Sequence, residues 1–150
     1  MLRVLVVEDG AEYTECFTRF LTEGFTFDRA GSGPAALAKL GAAPYDAVVL
    51  DMRFDRAPES ELLGDVDDLA DRFNGDVVQA RRFLEDQQGT YVLAAVRQAG
   101  HTLPVLMSHD FSDEPRRWER LASRHGAIAY VPDNASAADV GAAIRALVSG

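Results

Sequence analysis

Lysine is almost missing from this 150-residue chain: Lys39 is the only one. Cysteine also occurs once, as Cys16, which excludes an internal disulfide framework. It falls among apolar helix positions and reads as a small core residue. No apolar run approaches the ~20 residues that a membrane helix needs. Met1 leads straight into a strand pattern rather than a signal peptide. The expected location is the cytoplasm, with no membrane partner. Positive charge is scarce: 15 Lys and Arg stand against 24 Asp and Glu, a net charge of −9. That balance argues against nucleic-acid binding by bulk electrostatics. The remaining composition, 47% hydrophobic and 26% charged, is ordinary for a soluble globular protein. The length predicts a single domain over 1–150 with its own core.

Apolar runs alternate with helical periodicities, which predicts a parallel α/β sheet. Strands are expected at about 2–7, 25–30, 46–50, 104–108 and 127–131. A first helix is expected at about 11–23, with Cys16, Phe17, Phe20 and Leu21 inward and Gly24 closing it. Gly33-Pro34 opens a second helix, since proline suits the first turn, and Gly41 stops it. A third is expected from Tyr91 to Arg97, after Gln88-Gly89. After the fourth strand, Ser112 is the expected cap of a helix that buries Trp118, Leu121, Ala122 and His125. Ser136 is the expected cap of the last helix.

Residues 54–88 stand apart. They hold ten acids and four arginines, a net charge of −6. Leu62, Val66, Leu69 and Phe73 make a helical stripe. Asn74-Gly75 can close that helix, and Asp76 with Gln79 resembles a capping box for another at about 77–86. The segment is expected to be an inserted helical hairpin with a solvated acidic face. Asp65-Val66-Asp67-Asp68 lacks the glycine of a calcium loop.

Two buried strands stop on acids: Leu2–Val7 runs into Glu8-Asp9, and Tyr45–Leu50 into Asp51. In an open parallel sheet the carboxyl ends of the strands line the ligand crevice. An acidic pocket there suits a hard divalent cation such as Mg²⁺. It also suits a carboxylate that accepts a phosphoryl group.

Val6-Val7-Glu8-Asp9, Val48-Val49-Leu50-Asp51, Leu103-Pro104-Val105-Leu106-Met107 and Gly126-Ala127-Ile128-Ala129-Tyr130-Val131-Pro132, in that order, resemble bacterial two-component receiver domains. The resemblance covers nearly the whole chain outside 54–88. It implies a flavodoxin-like, doubly wound five-stranded parallel sheet of order 2-1-3-4-5. It makes Asp51 the candidate phosphoacceptor, and Glu8, Asp9, Asp51 and the Arg53 backbone carbonyl the candidate Mg²⁺ ligands. It makes Tyr130 the candidate switch aromatic. Two positions depart from the pattern: His109 stands at the hydroxyl position, one residue after Ser108, and Asp133 at the lysine position. Asp133 either turns outward toward the cap of the last helix or joins the metal site. Arg53, Arg56 or His109 is a candidate source of the missing positive charge. Arg116, Arg117, Arg120 and Arg124 form a basic helical face, a candidate docking or homodimer surface.

The expected function is that of a stand-alone, atypical receiver in signal transduction, acting through a protein partner and not as an enzyme. In one version it is a pseudo-receiver. In another, Asp51 is phosphorylated from a histidine kinase with Mg²⁺. A third reading, a small aspartate-nucleophile phosphatase, needs a general acid at the position Arg53 occupies.

Overall fold

A computed structural model describes all 150 residues. Its strands are β1 (Leu2–Val7), β2 (Phe25–Ala30), β3 (Ala47–Asp51), β4 (Val105–Ser108) and β5 (Ile128–Val131). All pair in parallel, in the order β2-β1-β3-β4-β5. The helices are α1 (Glu12–Phe20), α2 (Gly33–Ala42), α3 (Val66–Ala70), α4 (Val77–Gln98), α5 (Pro115–His125) and α6 (Ala137–Ser149).

Strand periodicity divides the core in two. Val4, Val6, Val49 and Leu106 face α1 and α6, meeting Phe17, Val140 and Ile144. Leu5, Val7, Val48, Leu50, Val105 and Met107 join the larger cluster, with residues of α2, α3 and α4. Near-continuous apolar strands of this kind are what a sheet covered on both faces requires.

The insertion extends the larger core. Phe54, Ala57, Leu62, Leu69, Ala70, Ala80 and Leu84 all belong to it. It holds the expected pair of packed helices, but they are of very unequal length. Its first helix shrinks to α3, capped by the Asp65 carboxylate, with a 3₁₀ turn at Asp71–Phe73. The expected stop holds: Asn74 is left-handed at φ 55° and Gly75 follows at φ 82°. The Asp76 carboxylate then accepts from the N–H groups of Val78 and Gln79. The expected break at Gln88-Gly89 does not occur, and α4 runs unbroken for 22 residues.

The reason is packing against the end of β3. A Cβ on Gly89 would lie 2.6 Å from the Asp51 carbonyl oxygen and 2.8 Å from the Met52 Cα. Glycine here permits close approach rather than a turn. The Gly89 N–H donates to the Met52 carbonyl at 2.9 Å, and the Glu85 carbonyl accepts from the Phe54 N–H at 2.8 Å. Those two helix groups are the ones an α-helix would pair with each other. Gln88 is 1% exposed. Its amide accepts from the Leu63 N–H at 2.6 Å and donates to the carbonyls of Leu63 and Leu84. Its polar atoms are thus paired inside the core, as burial demands.

Three smaller expectations are corrected. Helix α1 ends at Phe20, whose side chain is exposed rather than buried. Ser112 caps nothing, because Pro115 sets the first turn of α5 and the preceding residue is Glu114. α5 buries none of its residues fully, so Trp118 and Leu121 are only half-covered. The Ser136 cap holds, its hydroxyl accepting from the Asp139 N–H at 3.1 Å.

Gly89→Ala is expected to cost about 1–3 kcal/mol in urea unfolding, because the new methyl meets backbone that cannot swing aside. Gly41→Ala, in α2 where nothing lies within 4 Å of the added carbon, is expected to gain about 0.5–1 kcal/mol. Equal effects at the two positions would remove the close-approach explanation.

Candidate functional site

Parallel pairing sets the carboxyl ends of the strands side by side, with Asp51 in register with Ser108. A cleft of about 610 Å³ opens at this edge. Asp9 lines it from the β1–α1 connection, Tyr13 from α1, Asp51 from β3, Ser108 from β4, and His109 and Asp133 from just after β4 and β5. Met52, Arg53, Asp55, Arg56, Asp86 and Gln87 supply the other half of its lining. The insertion and the added turns of α4 therefore wall the cleft that the sheet opens.

Asp51 sits half-buried, its Oδ1 accepting from the Met52 N–H at 2.9 Å. Burial pushes its pKa up to about 6, against the pull of that N–H. The charges of Asp9, Glu8 and Asp133 add to the rise.

The two acids after β1 part company. Asp9 lines the cleft. Glu8 does not: it is 1% exposed and turns to α1. Its oxygens accept from the N–H groups of Tyr13 and Thr14 and from the Thr14 hydroxyl, at 3.1, 2.7 and 2.7 Å. It satisfies donors that the start of a helix leaves unpaired. The expected gathering of Glu8, Asp9 and Asp51 into one three-acid metal cluster does not occur in this structure. The Asp9 and Asp51 carboxylates, with the Arg53 carbonyl, are oxygen donors of the kind that suits a hard divalent cation. Such an ion would supply positive charge to this acidic edge.

The two departing positions, His109 and Asp133, both line the cleft but have different surroundings. The His109 Nε2 lies 3.4 Å from a Glu114 carboxylate oxygen, and its ring meets Phe111 edge-on at 4.6 Å. Ser108 is buried and donates to the Tyr13 hydroxyl at 3.1 Å. Tyr13 in turn donates to the Asp133 backbone carbonyl at 3.1 Å. Asp133 is exposed at the rim of the cleft and takes no part in the α6 cap, which Ser136 supplies. Tyr130 packs half-buried against Phe111 and Trp118, at 5.4 and 4.7 Å between ring centres.

The six arginines singled out in the sequence have different surroundings. Arg53 pairs with Asp86 at 3.0 Å and Asp55 at 3.4 Å. The Arg56 backbone N–H donates to Asp9 Oδ2 at 2.6 Å, and its guanidinium binds Glu12. Arg116, Arg120 and Arg124 lie exposed along α5. Arg117 leaves that expected basic face: it is half-buried, bonds Glu114 and Gln87, and lies over the Phe111 ring. Tyr13 and Gln87 were not among the sequence candidates. Tyr13 was findable one turn past the acidic pair. Gln87 was hidden by the expected helix break.

No protein-family model matches the chain. Solved structures give its fold. The receiver domain of the Francisella response regulator 1452 covers 99% of this chain and 98% of itself, at TM-score 0.67 and 17% identity. A CheY-like response regulator receiver domain protein from Methanospirillum hungatei JF-1 covers 99% and 94%, at TM-score 0.65 and 15% identity. The receiver domain of NtrX from Brucella abortus covers 97% and 98%, at TM-score 0.65 and 18% identity. The chain therefore has the flavodoxin-like fold of response regulator receiver domains. In sequence, 52 residues are 46% identical to the transcriptional regulatory protein TcrA of Mycobacterium tuberculosis. That match spans 34% of this chain and 21% of the length of TcrA.

An unfolded aspartate ionises near 3.8 and the folded Asp51 near 6, so the folded protein holds a proton across that window. The stabilising contribution is full below the lower value, is lost as pH rises through about 6, and stays lost above it. Asp51→Asn is expected to raise the Tm at pH 8 by roughly 2–6 °C, about 1–2 kcal/mol after discounting for partial exposure. At pH 4 it is expected to change little. An equal shift at both pH values in a thermal melt would contradict an electrostatic origin.

Proposed function

We propose that this chain is a receiver-type signalling module of bacterial signal transduction that acts through protein–protein contact, with its phosphoryl-binding equipment reduced. One observation carries this reading: the acid at the end of β3 is kept, but nothing near it offers a free hydroxyl or ammonium. His109 stands where the hydroxyl is expected and faces Glu114. The Ser108 hydroxyl is bonded to Tyr13, and Asp133 stands where the lysine is expected. Losing a single preorganised donor of this kind costs about 3–4 kcal/mol in comparable sites. Asp51 then serves as part of a partner-facing scaffold, and its ionisation is a cost to the fold rather than the start of a reaction.

A second reading keeps Asp51 as an Mg²⁺-dependent phosphoacceptor for a histidine kinase. The place of the Arg56 guanidinium in the cleft lining, where it can meet an anion, favours it. A guanidinium can grip a phosphoryl group, though not with the geometry of a compact ammonium. The phosphatase reading is weaker. Arg53 holds the general-acid position, and a guanidinium does not give up its proton at working pH.

Intact-protein mass after incubation with acetyl phosphate and Mg²⁺ separates the first two readings. The expected result is no phosphoryl gain in folded protein, with partner binding unchanged by Asp51→Asn. A gain of one phosphoryl group that Asp51→Asn abolishes would replace the first reading with the second. Turnover of a generic phosphate ester would support the third.

A further inference from the structure

The insertion delivers a fixed positive charge to the acid that faces the cleft. Both Asp9 carboxylate oxygens look toward Arg56: Oδ2 accepts from its backbone N–H at 2.6 Å, and Oδ1 lies 3.8 Å from its guanidinium. The Asp9 side chain is only 4% exposed, so little of its surface remains open to another cation. Glu12 holds the guanidinium in place with two parallel contacts of 2.8 and 3.0 Å. Bidentate pairing fixes orientation as well as charge, and it draws the Glu12 carboxyl down to about 2. Gly10 leaves room for the arrangement, since a Cβ there would run into both the Arg56 guanidinium and the Glu12 carboxylate. On the outer side, Arg29 donates to the backbone carbonyls of Asp9 and Gly10 and steadies the loop.

We infer that Arg56 is the resident cation of this cleft and sets its affinity for divalent metal ions by competing with them for Asp9. The inference deepens the receiver-type reading, from which it takes Asp9 as the metal-facing acid. A divalent ion approaching Asp9 meets a like charge already within 4 Å of one oxygen. It must also displace or share an oxygen that accepts from a backbone N–H. Mg²⁺ and similar ions shed water reluctantly and need well-placed, unencumbered oxygens in return. The arginine thus weakens metal binding while keeping the acid from standing unpaired. It comes from the segment that lies outside the receiver resemblance, so the insertion tunes the cleft and does not merely wall it.

The test is Mn²⁺ binding to the full chain, read by the electron paramagnetic resonance signal of the free ion. Arg56→Gln removes the charge and leaves the backbone N–H, and it is expected to tighten binding roughly tenfold. Arg56→Lys keeps the charge but loses the paired grip on Glu12, and an intermediate value is expected. Arg53→Gln removes a cleft charge that does not touch Asp9, and less than a threefold change is expected. Adding Asp9→Asn to Arg56→Gln is expected to abolish the gain. The inference is overturned if Arg56→Gln leaves affinity unchanged or weaker, if Arg53→Gln tightens binding equally, or if the gain survives loss of the Asp9 charge. Because the readout is metal binding, it stands apart from phosphorylation: an unlabelled Asp51 does not overturn it, and a labelled one does not support it.

Discussion

The exchange of backbone hydrogen bonds between residues 52–54 and α4 holds the functional end of this molecule together. Met52 and Phe54 pair with Gly89 and Glu85, and the missing side chain at Gly89 lets the helix close to within contact of the Asp51 carbonyl. Two consequences follow. The chain leaving β3 is fixed at once instead of looping freely, so Asp51 has a rigid neighbour. The turns of α4 before Gly89 run on along the cleft and bring Asp86 and Gln87 to its wall. An insertion that would cost conformational entropy as a loose loop is instead bound into the core through Phe54, Leu62, Leu84 and the buried Gln88 amide.

Charge is then distributed by what each element allows. Glu8 faces the start of α1 and satisfies its N–H groups. Asp51 is disfavoured as an anion chiefly by burial, which its one backbone donor offsets only in part, and the nearby like charges add to the effect. Asp9 is matched by Arg56, which arrives with the insertion, and Asp86 by Arg53, which directly precedes it. A single lysine on α2 contributes nothing to this edge. The cleft is thus balanced by guanidinium groups tied to carboxylates, not by an ammonium left free to meet an incoming anion.

From His109 at the cleft, a chain of aromatic rings leads away beneath α5. His109, Phe111, Trp118 and Tyr130 touch in sequence, linking the end of β4 to α5 and β5. Phe111 is fully buried, yet α5 itself has no fully buried residue. The helix therefore rests on a few rings, and Arg117 bridges it to Gln87 on α4. Its remaining arginines, Arg116, Arg120 and Arg124, stay in solvent.

The sheet was legible in the sequence because buried parallel strands need continuous apolar runs, and those at 2–7, 46–50 and 104–108 have few other readings. The caps at Asp76 and Ser136 were legible for a similarly local reason: one side chain serves donors two or three residues away. That Asp9, Asp51, His109 and Asp133 share one edge also followed from strand order. The unbroken α4 did not, since a Gln-Gly pair reads as a break unless the surface that receives it is known. Nor did the roles of Glu8, Arg56 and Arg117, whose partners were chosen by packing among acids and helices that the sequence leaves interchangeable. By itself the sequence determined where the strands lie along the chain, the acids at their ends and the scarcity of lysine, because each depends on local periodicity or composition, while the sheet order came from the resemblance to receiver domains. Which acid faces the cleft, which arginine meets it and how close the helix approaches were decided only in the tertiary structure, because hydrogen bonds and ion pairs form between groups that the fold, not the chain, makes neighbours.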